Sequence, residues 1–360
     1  MSTIKVLHVI ARMNVGGTAR YVGDLVEKIP NSALATGFVQ GSEIEDGVVG
    51  RLNVHRIPHL GRRIAPIQDF RSWLELRRLV KRLEPEIVHT HTFKAGMIGR
   101  LVRGKHKRVH TFHGHLFDDH SFSSLEKGII TLVERFLARR TNVLISVGIR
   151  VGEELRSARV GQNGIWLSIP PGVSALPKIK KSDAREILNL DQDTFLVGWM
   201  ARMTRVKNPF LLLEVARRMP SVRFAMAGGG DLLSEIRSTA PGNVSVIGWT
   251  DAPIFWSAVD CAISTSDNEG MPISLIEAQL AGLPVIATNV GSTSEIVADG
   301  VTGIITEPDL GLLVIGLDKL VSNEIVFREM KKSAELNALR EFSPERMISC
   351  LLYTSPSPRD

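Results

Sequence analysis

Cysteine, long apolar runs and an export signal are scarce or absent in this sequence. Its 360 residues include two cysteines, Cys261 and Cys350, so no disulfide framework is expected and a reducing compartment fits. No apolar run approaches the roughly 20 residues needed to cross a bilayer. The N-terminus is too short for a signal peptide and lacks a small-residue cleavage site, so we interpret it as a first buried strand. These absences favour a cytoplasmic protein.

Short apolar runs alternate with helical patterns along the chain, which is typical of parallel sheets covered by helices on both faces. One series ends near Ile169 and a second begins near Phe195. Between them, Pro170–Pro177 contains prolines and a glycine and is the best linker candidate. The chain is therefore predicted to be α/β, with Rossmann-like doubly wound domains over residues 1–175 and 176–349 that face each other across a cleft.

The end of the chain has a different character. Residues 350–360, CLLYTSPSPRD, resemble the translation of a common sequencing-adapter sequence. We expect them to be a read-through scar rather than part of the fold. On this interpretation the natural C-terminus is missing and the second domain is truncated.

Charge is unevenly distributed between the two halves. Residues 1–175 hold 26 Lys and Arg against 15 Asp and Glu, whereas residues 176–360 hold 18 against 23. A basic first half favours an anionic partner such as a membrane surface, a diphosphate or a nucleic acid. The alternative is that these charges simply solvate helix faces.

Two glycine-rich loops follow predicted strands, where ligands of doubly wound sheets bind. Gly16 and Gly17 precede a predicted helix whose free N–H groups would suit a phosphate, although a plain turn explains them equally well. They do not match the dinucleotide fingerprint, which needs three spaced glycines. Gly228–Gly230 is interpreted as a tight turn near the ligand.

Charged residues follow two strands of the second domain. Arg202 and Lys207 share one loop and suit a diphosphate, but taken alone they are ordinary surface charges. Glu269 and Glu277 stand eight positions apart, before and within a predicted helix whose first turn is expected to contain Pro272. Such a pair suits hydroxyl and phosphate binding, whereas capping or solvation would explain either glutamate by itself.

At this point the sequence resembles a known family. The segments Glu269–Pro272, Glu277–Ala278 and Ala281–Thr288 resemble the E-x7-E signature of the family-four glycosyltransferases. Further matches occur in the order of the family over nearly all of residues 4–340. They are Gly16–Thr18, His89–Gly99, His110–Phe117, Glu134–Arg140, Arg202 with Lys207, Gly248 with Trp249, and Gly291 with Glu295 and Gly300.

The resemblance implies a GT-B fold and a retaining, metal-independent hexosyl transfer. The donor would be a nucleotide-diphosphate sugar, UDP-linked, with no other cofactor. The acceptor would be a glycan or a polyprenyl-diphosphate-linked glycan of surface-polysaccharide biosynthesis. In the family the second domain binds the nucleotide, so Glu277 would bind the ribose, and Glu269 with Gly270, Met271 and Pro272 would hold the donor sugar.

The remaining site residues are also implied by the resemblance. Arg202 and Lys207 would neutralise the leaving diphosphate. Gly16 and Gly17 would approach it from the first domain, and His113 would lie beside the sugar at the reaction centre. The C-terminal helix that often crosses back to the first domain in this family is expected to be missing here.

Three other functions remain open. The chain could be an inactive GT-B scaffold subunit, a nucleotide-sugar epimerase or an inverting transferase. A nicotinamide-dependent dehydrogenase lacks its fingerprint. Nucleic-acid binding lacks an accompanying motif, so no nucleic-acid partner is expected.

All ten histidines precede residue 121, and His89, His91, His110, His113 and His115 make zinc worth considering. Because no cysteine joins them, we predict no metal site. Asp191–Asp193 superficially resembles a metal-binding aspartate pair and is interpreted as a turn.

Basic residues are concentrated between Arg62 and Arg82. Arg71, Arg77, Arg78 and Lys81 stand at helical spacing, so much of the charge would lie on one side. We expect a peripheral attraction to an anionic membrane at its inner face.

Overall fold

The computed structural model describes residues 5–41, 43–61, 63–114 and 124–354. Two parts of the predicted features lie outside the described residues. They are Arg62 of the basic segment and residues 115–117 of the His110–Phe117 match, which include His115. The chain forms two compact units that divide at Gly172 and Val173, and the chain from Pro344 onward returns to the first unit. The second unit is Val173–Ser343, so the predicted second domain, 176–349, extends beyond it at its end.

The first unit is built on a parallel sheet in the order β3-β2-β1-β4-β5-β6-β7. Its strands are β1 (Val6–Ile10), β2 (Ser32–Thr36), β3 (Val54–Arg56), β4 (Ile87–His91), β5 (Lys107–Phe112), β6 (Val143–Ser146) and β7 (Ile165–Ser168). The order reverses between β1 and β4, where a crevice forms beyond the carboxyl ends of such sheets.

Helices connect these strands. They are α1 (Gly17–Lys28), α2 (Pro66–Leu83), α3 (Thr92–Gly99), α4 (Ser124–Ala138) and α5 (Ile149–Ser157), with a 3-10 turn at Gly47–Arg51. Leu25 on α1 packs with Ile10 and Val109 in a core on one face of the sheet. Leu76 on α2 packs with Leu7 and Val88 in a core on the other face. Strands β1, β2, β4, β5 and β6 are buried over most of their length, as expected of a parallel sheet covered by helices on both faces.

The second unit has a parallel sheet in the order β10-β9-β8-β11-β12-β13. The strands are β8 (Leu196–Met200), β9 (Arg223–Ala227), β10 (Val244–Gly248), β11 (Cys261–Ser264), β12 (Val285–Thr288) and β13 (Gly303–Thr306). The helices are α6 (Lys181–Ile187), α7 (Pro209–Arg218), α8 (Leu233–Thr239), α9 (Ala252–Ala258), α10 (Ile273–Leu280), α11 (Thr293–Ile296), α12 (Leu310–Ser322) and α13 (Glu324–Glu341). The predicted α/β class with two doubly wound sheets is therefore confirmed.

A last helix, α14 (Pro344–Thr354), belongs to the first unit. Met347 and Leu351 are buried in the same core as Leu25 and Val26 of α1. The expectation that a returning C-terminal helix is missing was therefore wrong, because apolar side chains at helical spacing give the segment a face to bury. This helix also includes residues 350–354, which the sequence suggested to be a scar.

Among the described helices, none combines the length and apolar character that a membrane span requires.

Candidate active site

The carboxyl end of β11 in the second unit holds a buried carboxylate. Glu269 is 7% exposed, and its two oxygens have different partners. Oε1 accepts a hydrogen bond from the Ser266 hydroxyl at 2.7 Å, and Oε2 lies 2.6 Å from the Lys207 ammonium. A buried carboxylate is costly unless it is paired and hydrogen-bonded, and both conditions are met here. Ser266 was not singled out from the sequence, because a lone serine in a loop carries no distinctive pattern.

Direct hydrogen bonds fasten the loops after β8 and β11 to each other. The Asn208 amide donates to the Asp267 carboxylate at 2.9 Å, and the Thr265 hydroxyl donates to the Asn208 carbonyl at 2.9 Å. Asn208 adopts a left-handed conformation and its side chain caps the first turn of α7. These contacts fix the position of Lys207 relative to Glu269. Asn208 and Asp267 were also missed, since neither residue type is unusual beside a turn.

Arg202 lies exposed on the same loop as Lys207. The loop is backed by the glycine turn after β9, where Gly228 has φ +128° and Gly230 has φ +151°. A Cβ on Gly228 would lie 1.9 Å from the Ala201 carbonyl oxygen. The glycines are therefore needed for backbone packing beneath Arg202, which agrees with a tight turn at this place.

Glu277 lies well inside α10 and is 4% exposed. Pro272 is the N-cap residue of α10, directly before its first turn, and the helix begins at Ile273. Met271 is buried beside it, and the carbonyl of Gly270 accepts a hydrogen bond from the Ser292 amide at 3.0 Å. The helix is buried on nearly all sides, and this excludes a solvated surface role for Glu277.

In the first unit, the glycine loop after β1 leads directly into α1. Gly16 is exposed, has φ +148° and is the N-cap residue, and Gly17 is the first helical residue. The side chain of an ordinary residue is strained at that φ, which explains the glycine. The first turn of α1 contains no acidic residue, so its positive end is not neutralised from within the helix.

Histidines occupy one face of the first sheet at its carboxyl edge. His8 Nδ1 lies 3.1 Å from His91 Nε2, and His91 Nδ1 lies 3.2 Å from His113 Nε2. His113 follows β5 directly and is partly exposed. The ring of Tyr21, on α1, meets the His113 ring edge-on with centroids 4.9 Å apart. Helix α1 thus connects the glycine loop to His113.

Burial keeps these imidazoles neutral. It lowers the pKa of His8 and of His113 to about 3, and it lowers the pKa values of His89 and His91 well below the usual range. His8, His89 and His91 each offer a nitrogen within 4.8 Å of the others, a spacing at which a metal ion could be held. The absence of a metal therefore stays a prediction.

The structure thus brings Glu269 and Lys207 into contact and places Arg202 on the loop of Lys207. Gly16, Gly17 and His113 belong to the first unit, so they form a separate group.

Two family models match this chain. "Glycosyl transferases group 1" matches residues 180–337, and "Glycosyl transferase 4-like domain" matches residues 16–172. Among curated proteins, the chain is 27% identical over 349 residues to the UDP-Gal:alpha-D-GlcNAc-diphosphoundecaprenol alpha-1,3-galactosyltransferase of Escherichia coli, covering 90% of each chain. It is 25% identical over 272 residues to the O-antigen biosynthesis glycosyltransferase WbnH of Escherichia coli, covering 72% of this chain and 75% of that one.

The fold matches known structures over nearly all of the chain. One is the Anabaena protein Alr3699/HepE, solved in complex with UDP and glucose, with a TM-score of 0.83 and 17% identity. The match covers 98% of this chain and 100% of that one. At this identity the similarity establishes the fold, which is GT-B.

Proposed function

Because this chain belongs to the glycosyltransferase family that these models describe, we propose that it transfers a hexose, with retention of configuration, from a UDP-sugar to a lipid-linked glycan acceptor. The family models and the fold establish that the protein is a glycosyltransferase with a GT-B fold. The donor, the stereochemistry and the acceptor are the parts that we propose.

The observation that carries the proposal is the Lys207–Glu269 pair, held by Ser266, on a loop adjoining the helix that buries Glu277. A carboxylate that is shielded from water suits a ribose, because the ribose hydroxyl groups can donate hydrogen bonds to it. We assign the ribose to Glu277 and the donor sugar to Glu269 with the adjoining Gly270–Pro272 segment.

Departure of UDP places negative charge on the β-phosphate and positive charge on the anomeric carbon. Arg202 and Lys207 are permanent cations on the loop after β8, and we propose that they stabilise the growing phosphate charge. In this scheme a metal ion is not needed. The acceptor attacks from the face that the phosphate leaves, and the departing phosphate takes the acceptor proton, so no covalent enzyme intermediate is required.

The first unit would contribute Gly16, Gly17 and His113. The open end of α1 offers backbone N–H groups and a positive dipole to an anion. We assign it to the diphosphate. His113, neutral and partly exposed, is assigned to the hydroxyl groups of the transferred sugar.

The acceptor and the pathway are inferred from relatives. The first relative described above carries diphosphoundecaprenol in its name, and the second is named for O-antigen biosynthesis. We therefore propose a polyprenyl-diphosphate-linked glycan as acceptor, a role in polysaccharide biosynthesis, and a cytoplasmic location.

Two surfaces of the first unit support an encounter with an anionic membrane. Helix α2 exposes Arg71, Arg77, Arg78 and Lys81. Helix α4 exposes an apolar stripe at helical spacing, formed by Leu125, Ile129, Leu132 and Phe136. Proteins that bind at a membrane surface use apolar helix faces, which enter the lipid interface, and basic residues, which are attracted to anionic headgroups. We propose that the protein binds the inner membrane surface peripherally.

Replacement of the four basic residues of α2 by glutamine tests the membrane proposal. We expect weaker co-sedimentation with vesicles containing an anionic phospholipid. The matched control replaces Arg328, Lys331, Lys332 and Arg340, four exposed basic residues on α13, and should leave binding unchanged. Equal binding by both variants would refute a role for the α2 charges.

A transfer assay tests the reaction itself. Purified protein is incubated with UDP-glucose, UDP-galactose or UDP-GlcNAc and a GlcNAc-diphosphate-lipid acceptor, and the anomeric configuration of the product is read by NMR. We expect an α-linked product from one donor. A β-linked product identifies an inverting transferase, and a changed donor sugar without transfer identifies an epimerase. Donor binding with neither reaction supports the scaffold alternative.

A further inference from the structure

Three histidines of the first unit form a continuous hydrogen-bonded row, His8–His91–His113. The two contacts are 3.1 Å and 3.2 Å long and use both ring nitrogens of His91. His8 lies on β1, His91 on β4 and His113 directly after β5. These three strands are neighbours in the sheet, so the three side chains can reach one another on the same face. We call these three residues the histidine row.

Each ring in the row is neutral near pH 7, because burial lowers its pKa. A neutral imidazole has one N–H donor and one acceptor nitrogen. His91 can therefore donate to only one neighbour and must accept from the other. Its single proton couples the tautomer of His8 to the tautomer of His113.

Only two arrangements satisfy both contacts. In the outward arrangement, His8 Nδ1–H donates to His91, and His91 Nδ1–H donates to His113 Nε2. His113 then carries its own proton on Nδ1. In the inward arrangement both hydrogen bonds are reversed, and the proton of His8 lies on Nε2.

The environment of His8 distinguishes the two arrangements. Within the described part of the chain, His8 Nε2 is buried and has no hydrogen-bond partner. In the inward arrangement this atom is an orphaned N–H donor, whereas in the outward arrangement it is an acceptor. Among buried backbone groups, orphaned N–H donors are rarer than under-satisfied acceptors, and we apply the same preference to the His8 ring. The outward arrangement is therefore favoured.

We propose that His8 and His91 are positioning residues that hold His113 in its Nδ1–H tautomer, so that His113 offers the donor sugar a hydrogen-bond donor rather than a base. This inference rests on the proposed function for the place of His113 beside the sugar. Tyr21 packs edge-on against the His113 ring and restricts its plane from the side of α1. A fixed N–H suits a hydroxyl oxygen, which accepts hydrogen bonds.

A metal ion on His8, His89 and His91 is the competing interpretation of the same cluster. Three histidines can hold zinc in proteins, but both ring nitrogens of His91 already take part in the histidine row. His89 Nε2 already lies 2.7 Å from the Thr111 hydroxyl. The histidine row accounts for the observed contacts without a buried charge, and a bound metal is an outcome that the test can detect.

NMR of the full chain labelled with 15N-histidine tests the tautomers directly. Long-range couplings between the ring nitrogens and the protons bonded to the ring carbons show which nitrogen carries the proton. We expect His113 to be protonated on Nδ1 in the absence of any substrate. Protonation of His113 on Nε2 overturns the inference, as does stoichiometric zinc that survives dialysis against a chelator. Because no donor is needed, either result leaves the proposed function to be judged by the transfer assay.

Variants of His8 separate positioning from mere packing. The amide nitrogen of His8→Asn can replace the Nδ1–H donor, whereas His8→Phe keeps a ring without nitrogen. We expect His8→Phe to give a mixture of His113 tautomers and to lower kcat about 10-fold to 100-fold with little change in donor KM. His8→Asn should recover most of the loss.

The control is His89→Phe, which changes an equally buried ring outside the row. It should leave the His113 tautomer unchanged, even where it lowers stability. An unchanged His113 tautomer in His8→Phe overturns the inference. If His8→Phe does not fold, the wild-type spectrum and the activity of His8→Asn decide the question. A His8→Asn variant that folds and shows the expected His113 tautomer, but is inactive, argues against positioning by a donor at this place.

Discussion

The two parallel sheets of this glycosyltransferase carry different chemistry at their carboxyl ends. In the second unit, the loops after β8 and β11 hold an ion pair, Lys207 with Glu269, and expose Arg202. In the first unit, strands β1, β4 and β5 carry the neutral histidine row, and His113 is its outermost member. Charges suit a diphosphate, and neutral donors suit sugar hydroxyls. On the proposed assignments, one topology serves the diphosphate in one unit and the sugar in the other, and the residues at the strand ends make the difference.

The first unit also contains an ion pair, but we expect its role to be structural. The Arg100 guanidinium contacts both carboxylate oxygens of Glu134 at 2.7 and 2.8 Å, and both side chains are fully buried. Glu134→Gln leaves the arginine charge uncompensated and should lower the free energy of unfolding by about 3–5 kcal/mol. Urea denaturation measures this loss. The double variant Arg100→Met with Glu134→Leu should recover part of it, and a loss equal to that of the single variant would contradict the account.

In the second unit, removal of a charge should affect activity more than stability. Lys207→Gln removes a cation that we propose to stabilise the leaving UDP, so we expect kcat to fall by about 10²-fold to 10³-fold. Lys207 is partly exposed, so the loss of stability should be smaller than for Glu134→Gln. Steady-state kinetics and urea denaturation together measure both effects.

The matched control for Lys207 is Arg205→Gln, an exposed cation in the same short 3-10 turn. It should retain near-normal kcat. Equal losses in both variants would indicate that the loop contributes only a general positive field.

The glycine turn beneath Arg202 provides a smaller and purely steric test. Gly228→Ala places a Cβ against the Ala201 carbonyl at a left-handed φ, which should cost about 1–3 kcal/mol of stability and displace the loop. Gly242→Ala is the control, because nothing lies within 4 Å of its added Cβ. Thermal unfolding of both variants measures the difference, and equal midpoints would show that the turn can relax.

Acid should weaken the first unit before the second, because all ten histidines precede residue 121. Burial lowers the pKa of His8 and of His113 to about 3, below the unfolded value of 6.5. The unfolded chain therefore binds more protons in this window. The stability from their neutral burial is complete above pH 6.5 and declines by about 1.4 kcal/mol per histidine per pH unit as the pH falls toward 3.

Segment-resolved hydrogen exchange at pH 7 and pH 5, corrected for intrinsic rates, measures this difference. Protection should fall more in β1, β4 and β5 than in β8 and β11. Equal loss in both units would show that carboxylates rather than histidines dominate the acid response.

The sequence predicted the sheets well because short apolar runs alternate regularly with helical patterns, which is typical of doubly wound sheets. It did not predict helix α3, which is short and contains Gly96, a poor helix former. A Cβ on Gly96 would lie 2.4 Å from the His110 ring, so tertiary packing selects this glycine against local propensity. Helix α14 was expected to be missing, and its last residues, 350–354, were interpreted as a scar, yet its apolar face packs on α1.

The candidate site was only partly accessible from sequence. Glu269 and Lys207 were singled out by their places after predicted strands, and His113 by the family resemblance. The roles of all three stay predictions. The contact between Glu269 and Lys207 joins residues 62 positions apart, and the row through His91 joins three strands. Neither contact produces a recognisable pattern along the sequence, because only the fold brings these residues together.

Donor binding tests the central claim most directly. Thermal unfolding is followed with a panel of UDP-sugars, for the wild type and for Glu277→Gln, whose shape is nearly unchanged. We expect at least one UDP-sugar to stabilise the wild type, by about 2.7 kcal/mol at a concentration 100 times its Kd, and Glu277→Gln to lose most of this stabilisation while folding normally. A wild type that no UDP-sugar stabilises, or an undiminished effect in Glu277→Gln, would contradict the assignment of the nucleotide to the second unit.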